Sequence, residues 1–204
     1  MIHSIEEADL SYVEQDPVYP VREDSLVLLR AAMDELDEGW GNFMEMGCGT
    51  GITSLAAAKK GWRVLSADRE PRALGNLRSS LRINGLRART LISDLFEGIP
   101  RAYEGEFSLI VFNPPYLPSE GNTIDRRMDL PLMGGKSGME VSFRFLEEVP
   151  GFLKSDGNVL LLSDGRWTGR IIEHSLDGLK FLSVKDSVDL GDHNVEVLKF
   201  HRVM

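Results

Sequence analysis

Short apolar runs that stop at a glycine, an aspartate or an asparagine alternate with helix-patterned stretches through the first half of this chain, and few folds accept that alternation. Asn42 to Met46 reads as a strand ending in Gly47-Cys48-Gly49-Thr50-Gly51. Val64 to Ala67 stops at Asp68, Thr90 to Ile92 is closed by Asp94, and Phe107 to Phe112 runs into Asn113. Between them, Ile52, Leu55 and Ala56 share a helix face that closes with Lys59, Lys60 and Gly61. Leu74, Leu77 and Leu81 form a second stripe, opened by Pro71 and ended by Asn84-Gly85. Strands alternating with helices predict an α/β fold with a mostly parallel sheet covered on both faces. Such sheets carry their chemistry at the carboxyl ends of the strands. The glycine loop, Asp68, Asp94 and Asn113 all end strands, so the fold would gather them on one edge.

The flanking segments are less regular. Residues 1–20, with Pro17 and Pro20, read as an irregular arm, and Leu26, Leu29, Met33 and Leu36 predict a helix from Ser25 to about Leu36. Glu23 and Asp24 stand where acids favour a helix N-terminus, and Gly39 stops it. A long polar loop over about 117–138 precedes a helix near Met139 carrying Val141, Phe145, Val149 and Phe152, with a bend expected at Pro150. Val159 to Leu162 is a fifth strand, Trp167 to Leu176 a further helix, and Phe181–Val184 with Val195–Phe200 a closing pair around Gly191-Asp192. With no repeat or linker in view, residues 1–204 are expected to form one domain.

Bulk properties exclude several functions. No apolar run is long enough to cross a bilayer, and the N-terminus shows no secretory leader. One cysteine, Cys48, cannot form an internal disulfide, and the four histidines lack metal-ligand spacing, so a metal-free cytoplasmic protein is expected. A net charge of −9 opposes a polynucleotide substrate. The local cluster Arg69, Arg72, Arg78, Arg82, Arg87 and Arg89 reads as a solvated helix face.

The glycine loop lets backbone approach a ligand closely. Asp68 follows at about 20 residues, the spacing at which an acid accepts ribose hydroxyls in a βαβ unit. A pyrophosphate-binding fingerprint needs a third glycine at position 52, where Ile52 stands instead. Glu45 would repel a pyrophosphate and attract an ammonium. The combination points to S-adenosylmethionine, with Asp94 accepting from the adenine amino group and Leu95 beside the ring. Cys48 is read as a small loop residue without chemistry.

Asn113-Pro114-Pro115-Tyr116 is a stiff, extended turn, because each proline fixes its own φ and restricts the residue before it. It is expected to hold a planar amino group while a methyl group is delivered.

Glu45 to Gly51 with Asp68 resembles the cofactor site of class I adenosylmethionine-dependent methyltransferases. Asn113-Pro114-Pro115-Tyr116 is similar to the signature of enzymes that methylate planar nitrogens: the amino groups of adenine and cytosine, and the amide of glutamine in translation termination factors. Val18 to Ser25 resembles the entry segment of HemK-type glutamine methyltransferases, and Gly134-Gly135-Lys136-Ser137-Gly138 resembles the Gly-Gly-x-x-Gly segment that follows their motif. Without a separate N-terminal helical domain, the chain is closest in length to their compact archaeal and eukaryotic branch. The entry segment departs from that branch at Pro20, Arg22 and Ser25.

The resemblance implies a Rossmann-like, doubly wound, mostly parallel seven-stranded sheet whose last strand is antiparallel, with residues 1–38 packing over the cofactor site. It implies cofactor contacts from Tyr19, Ser25, Glu45, Gly47, Gly49, Asp68, Asp94, Leu95 and Asn113. Asn113, Pro114 and Tyr116 would be catalytic and, with Pro115, would bind the substrate amide: the Asn113 oxygen and the Pro114 carbonyl accept its two hydrogens while Tyr116 stacks on its plane. The implied substrate is the Gly-Gly-Gln glutamine of a peptide chain release factor, and the implied partner a small zinc-binding activator on a hydrophobic sheet edge near the short third strand. A nucleic-acid amino methyltransferase acting on adenine N6 through the same motif is the alternative.

Overall fold

The computed structural model describes residues 1–16, 18–118, 133–174 and 177–203. In chain order the strands are β1 Ile2–Ile5, β2 Leu10–Val13, β3 Asn42–Met46, β4 Arg63–Asp68, β5 Arg89–Ile92, β6 Phe107–Phe112, β7 Leu153–Asp164, β8 Leu179–Asp189 and β9 Asn194–Arg202. The helices are α1 Glu23–Glu38, α2 Ile52–Lys59, α3 Pro71–Ile83, α4 Glu140–Glu148 and α5 Thr168–His174. Seven strands form one sheet in the order β5-β4-β3-β6-β7-β9-β8. The strands from β5 to β7 pair in parallel, and β9 runs antiparallel to both of its neighbours. The chain builds outward from β3 to β5 and then returns to lay β6 on the other side of β3. That reversal opens a crevice beyond Met46 and Phe112, which lie opposite each other in the register.

Period-two alternation divides the core. Phe43, Leu109, Val111 and Leu160 face α1, α2 and α3, whereas Met44, Met46, Ile110, Phe112 and Leu161 face Phe145 and Leu146 of α4 and Ile171 of α5. Both faces are therefore apolar, as a central parallel sheet requires. Helix α1 is pinned across the antiparallel end, where the buried Glu35 carboxylate accepts from Lys199 at 2.7 Å and pairs with Lys185 at 3.2 Å.

The first 13 residues are not an irregular arm, whereas the described residues between Val13 and Glu23 form no helix or strand. β1 and β2 form a hairpin that seats Leu10, Tyr12 and Val13 against the helices. Its outer backbone groups find side chains of α3: Val13 N–H donates to Ser80 Oγ at 2.8 Å, and Ser11 N–H donates to Asn84 Oδ1 at 3.0 Å. Those partners lie 67 and 73 residues away, so no local pattern announces them. Strand β7 starts earlier than its apolar run because the polar stretch Lys154 to Gly157 is carried by a register shift against β6. Helix α4 passes into a 3-10 turn, Val149–Gly151, at Pro150. Of the polar loop, residues 119–132 lie outside the described ones, as do Ser175 and Leu176 at the end of the expected helix. The loop's two ends meet at a bridge between Leu117 and Met133. Among the described residues no helix is long and apolar enough to cross a membrane.

Candidate active site

A cleft of about 1190 Å³ opens at the crevice between β3 and β6. Every site residue named from the sequence lines it: Tyr19, Ser25, Glu45, Gly47, Gly49, Asp68, Asp94, Leu95, Asn113, Pro114, Pro115 and Tyr116.

The floor is the β3–α2 turn. Gly47 has φ of +58°, and a Cβ there would stand 2.8 Å from the Phe112 ring, directly before Asn113. Its bareness therefore keeps the two strand ends in register. Gly49 N–H donates to Asp68 Oδ2 at 2.9 Å and Glu70 N–H to Oδ1 at 2.8 Å. Burial pushes the Asp68 carboxyl up, and these two amides work against that shift. Glu45 is buried, accepts from Ser54 N–H at 2.8 Å and from the Ser54 hydroxyl, and lies at the N-terminus of α2. Burial outweighs the serine and threonine hydrogen bonds and raises its pKa to about 7. Burial also drives the Cys48 thiol well above its usual range, which disfavours the thiolate.

At the far end of the cleft, Asp94 pairs with Arg144 of α4 at 3.3 Å, both half exposed. Leu95 beside it is buried with φ of +46°, a conformation costing roughly 1–2 kcal/mol, and the Ser93 hydroxyl donates to its carbonyl at 2.5 Å. A strained apolar residue placed at a cleft wall suits a flat ligand surface.

The residue that sequence reasoning missed is Asp24. It reads as an ordinary acid at a helix start, yet it is 2% exposed and faces the turn from across the cleft. Its Oδ2 accepts from Asn113 Nδ2 at 3.0 Å, Tyr19 OH at 3.3 Å and Tyr116 OH at 3.5 Å. A carboxylate only accepts, so the Asn113 amide must turn its nitrogen to Asp24 and leave Oδ1 as the remaining acceptor. Burial, then the Asp24 charge, pushes both phenols far above their usual range, so both stay protonated donors. Ser25 serves the helix locally, its hydroxyl accepting from Arg22 N–H at 3.4 Å at the start of α1.

Gly134 and Gly138 press on the turn from below. A Cβ on Gly134 would lie 2.3 Å from the Pro115 carbonyl oxygen, and one on Gly138 would lie 2.3 Å from that of Tyr116. Pro115 therefore shapes the turn through a carbonyl held against Gly134. The signal for this seat was the Gly-Gly-x-x-Gly spacing itself.

The family described as methyltransferase small domain matches residues 24–129. A provisionally named protein N5-glutamine methyltransferase of Methanocaldococcus jannaschii is 38% identical over 71% of this chain and 71% of its own length. The release factor glutamine methyltransferase of Deinococcus radiodurans is 33% identical over 68% of this chain and 51% of its own length. Among solved structures, the Thermus thermophilus 16S rRNA N2 G1207 methyltransferase, bound to AdoMet and guanosine, superposes with a TM-score of 0.72 at 23% identity. It covers all of this chain and 50% of that one.

Proposed function

The chain belongs to the methyltransferase small-domain family, and on that premise we propose that it transfers a methyl group from S-adenosylmethionine to the side-chain amide nitrogen of a glutamine in a peptide chain release factor. The names of its glutamine-methylating relatives support the substrate class. The observation that carries the chemistry is the orientation of Asn113, whose nitrogen is spent on Asp24 and whose oxygen is left to accept.

The cleft's own residues suit the cofactor. Asp68 offers carboxylate oxygens for ribose hydroxyls, Gly49 leaves open space with no atom within 4 Å of where a Cβ would point, and Asp94 with Leu95 suits an adenine edge and face. When bound, adenosylmethionine supplies an electrophilic methyl on a sulfonium. An amide nitrogen is a weak nucleophile because its lone pair is delocalised. Asn113 Oδ1 and the Pro114 carbonyl would accept the two amide hydrogens, fixing the nitrogen's aim and offsetting charge as it develops there. Tyr116 covers the amide plane, and the proton leaves to solvent after transfer, so no side-chain base is needed.

Glu45 supplies a pH test. Its pKa of about 7 in the ligand-free protein means that it carries a proton on the acid side of neutrality and must release it to face the ligand's ammonium. Affinity for adenosylhomocysteine should fall about tenfold per pH unit below about 7 and level off above it, until the ligand's own amine deprotonates at more alkaline pH. Calorimetry on both sides of neutrality reads this, and Glu45→Gln should remove the acid limb. A pH-independent affinity would exclude Glu45 from the ammonium site.

For the activator, the fitting surface is β5 at the sheet edge, where Ile92 is 61% exposed. The lone cysteine suits a reducing, cytoplasmic home. Labelled methyl transfer to a release factor carrying Gly-Gly-Gln, against DNA and tRNA, with and without a co-expressed partner, tests the whole reading. Label on the factor is the expected result; label on nucleic acid alone would replace it with the amino-base reading.

A further inference from the structure

Cofactor and substrate must reach Asn113 from opposite sides. The residues suited to the cofactor end β3, β4 and β5, which leaves the carboxyl end of β7 and the β8–β9 turn on the other flank of Asn113 for the polypeptide carrying the target amide. That ground is not plain surface. β7 ends in Asp164, whose side chain is fully buried, and the chain then turns through Gly165. Gly165 N–H donates to the Asn194 carbonyl at 2.8 Å, joining this turn to the start of β9. Asp164 accepts from Arg166 through its backbone N–H and its Nε, both at 2.9 Å on Oδ1, and through Nη2 on Oδ2. The Arg166 side chain is nonetheless 58% exposed. The His193 ring stands beside Tyr116, with centroids 6.1 Å apart, and Asp192, paired with His193, is near enough to Arg166 to act on its charge. A guanidinium fixed by a fork of bonds to a buried carboxylate thus stands exposed on a ledge at the carboxyl end of β7, and the charge of that carboxylate reaches Tyr116. Its Nη1 and the outer hydrogen of Nη2 are not used by that fork.

We propose that Arg166, held in place by Asp164, binds main-chain carbonyls of the substrate polypeptide beside the methylated glutamine. The inference rests on the release-factor reading. In a Gly-Gly-Gln segment the two residues before the glutamine have no side chains, so their recognition falls on the backbone. A positively charged planar donor fixed in direction meets that need better than a flexible lysine, because less freedom is lost per bond formed. Arg166 is a binding residue under this proposal, and Asp164 a positioning residue.

The test is steady-state methyl transfer to a Gly-Gly-Gln release factor by the wild type, Arg166→Ala and Arg166→Lys, with adenosylhomocysteine calorimetry and thermal midpoints as companions. Arg166→Ala should raise KM for the factor about tenfold with kcat near the wild-type value, and Arg166→Lys should fall between. Affinity for adenosylhomocysteine should not change. An unchanged KM in an enzyme that methylates the factor would overturn the ledge alone. So would a loss of kcat, cofactor affinity and thermal midpoint together, which marks a structural role. A wild type that transfers nothing to the factor either with or without the co-expressed partner, or only to tRNA or DNA, would overturn both readings.

Discussion

Asn113→Asp should lower turnover by about 10²–10³-fold at neutral pH and leave affinity for adenosylhomocysteine nearly unchanged. The size follows from losing one preorganised acceptor geometry at the reacting nitrogen. The direction with pH is the sharper part. The new carboxylate would stand where the Asn113 nitrogen meets Asp24 at 3.0 Å, and two carboxylates at that distance cannot both ionise easily, so the pair retains a proton well above the usual carboxylate range. Once that proton bridges the two, the substituted side chain again donates toward Asp24 and turns a carbonyl oxygen toward the substrate. Turnover by the variant, relative to wild type, should therefore recover as pH falls, whereas Asn113→Ala should show no such limb. Wild-type turnover in Asn113→Asp at every pH would remove Asn113 from the mechanism.

Asp24→Ala is the second large effect. It deprives Asn113, Tyr19 and Tyr116 of their common acceptor, so the asparagine amide can rotate and present a donor where an acceptor is needed. Turnover should drop about 10²-fold, and stability should fall by about 1–3 kcal/mol for the donors left unpaired. The two losses separate in a double-mutant cycle. If Asp24 acts by orienting Asn113, adding Asp24→Ala to Asn113→Ala should cost little further turnover, while its stability cost persists. Full additivity in turnover would show that Asp24 works independently of the asparagine.

Most of the architecture was legible because it rests on local periodicity. The glycine loop, Asp68, Asp94 and Asn113 each sit where an apolar run stops, and the strand order alone brought them to one cleft. What stayed hidden depends on distant partners. Asp24 satisfies every rule for a helix-start acid, and nothing near it in the chain signals a bond to a residue 89 positions on. The β1–β2 hairpin is fixed by Ser80 and Asn84 of a helix that lies far downstream. Arg166 reads as a charged loop residue until β7 is seen to bury Asp164 beside it. In each case the informative contact is polar and set by the fold, and hydrophobic spacing carries no trace of it.

The bridge between Leu117 and Met133 has a further consequence. With Gly134 N–H donating to the Leu117 carbonyl at 3.0 Å, the chain leaves and re-enters the amide turn through a single stapled doorway. The backbone on either side of that doorway is thereby tied to the glycine seat under Pro115 and Tyr116. The exit of the turn is thus fixed by backbone pairing as well as by its prolines, and the amide turn is braced at both of its ends.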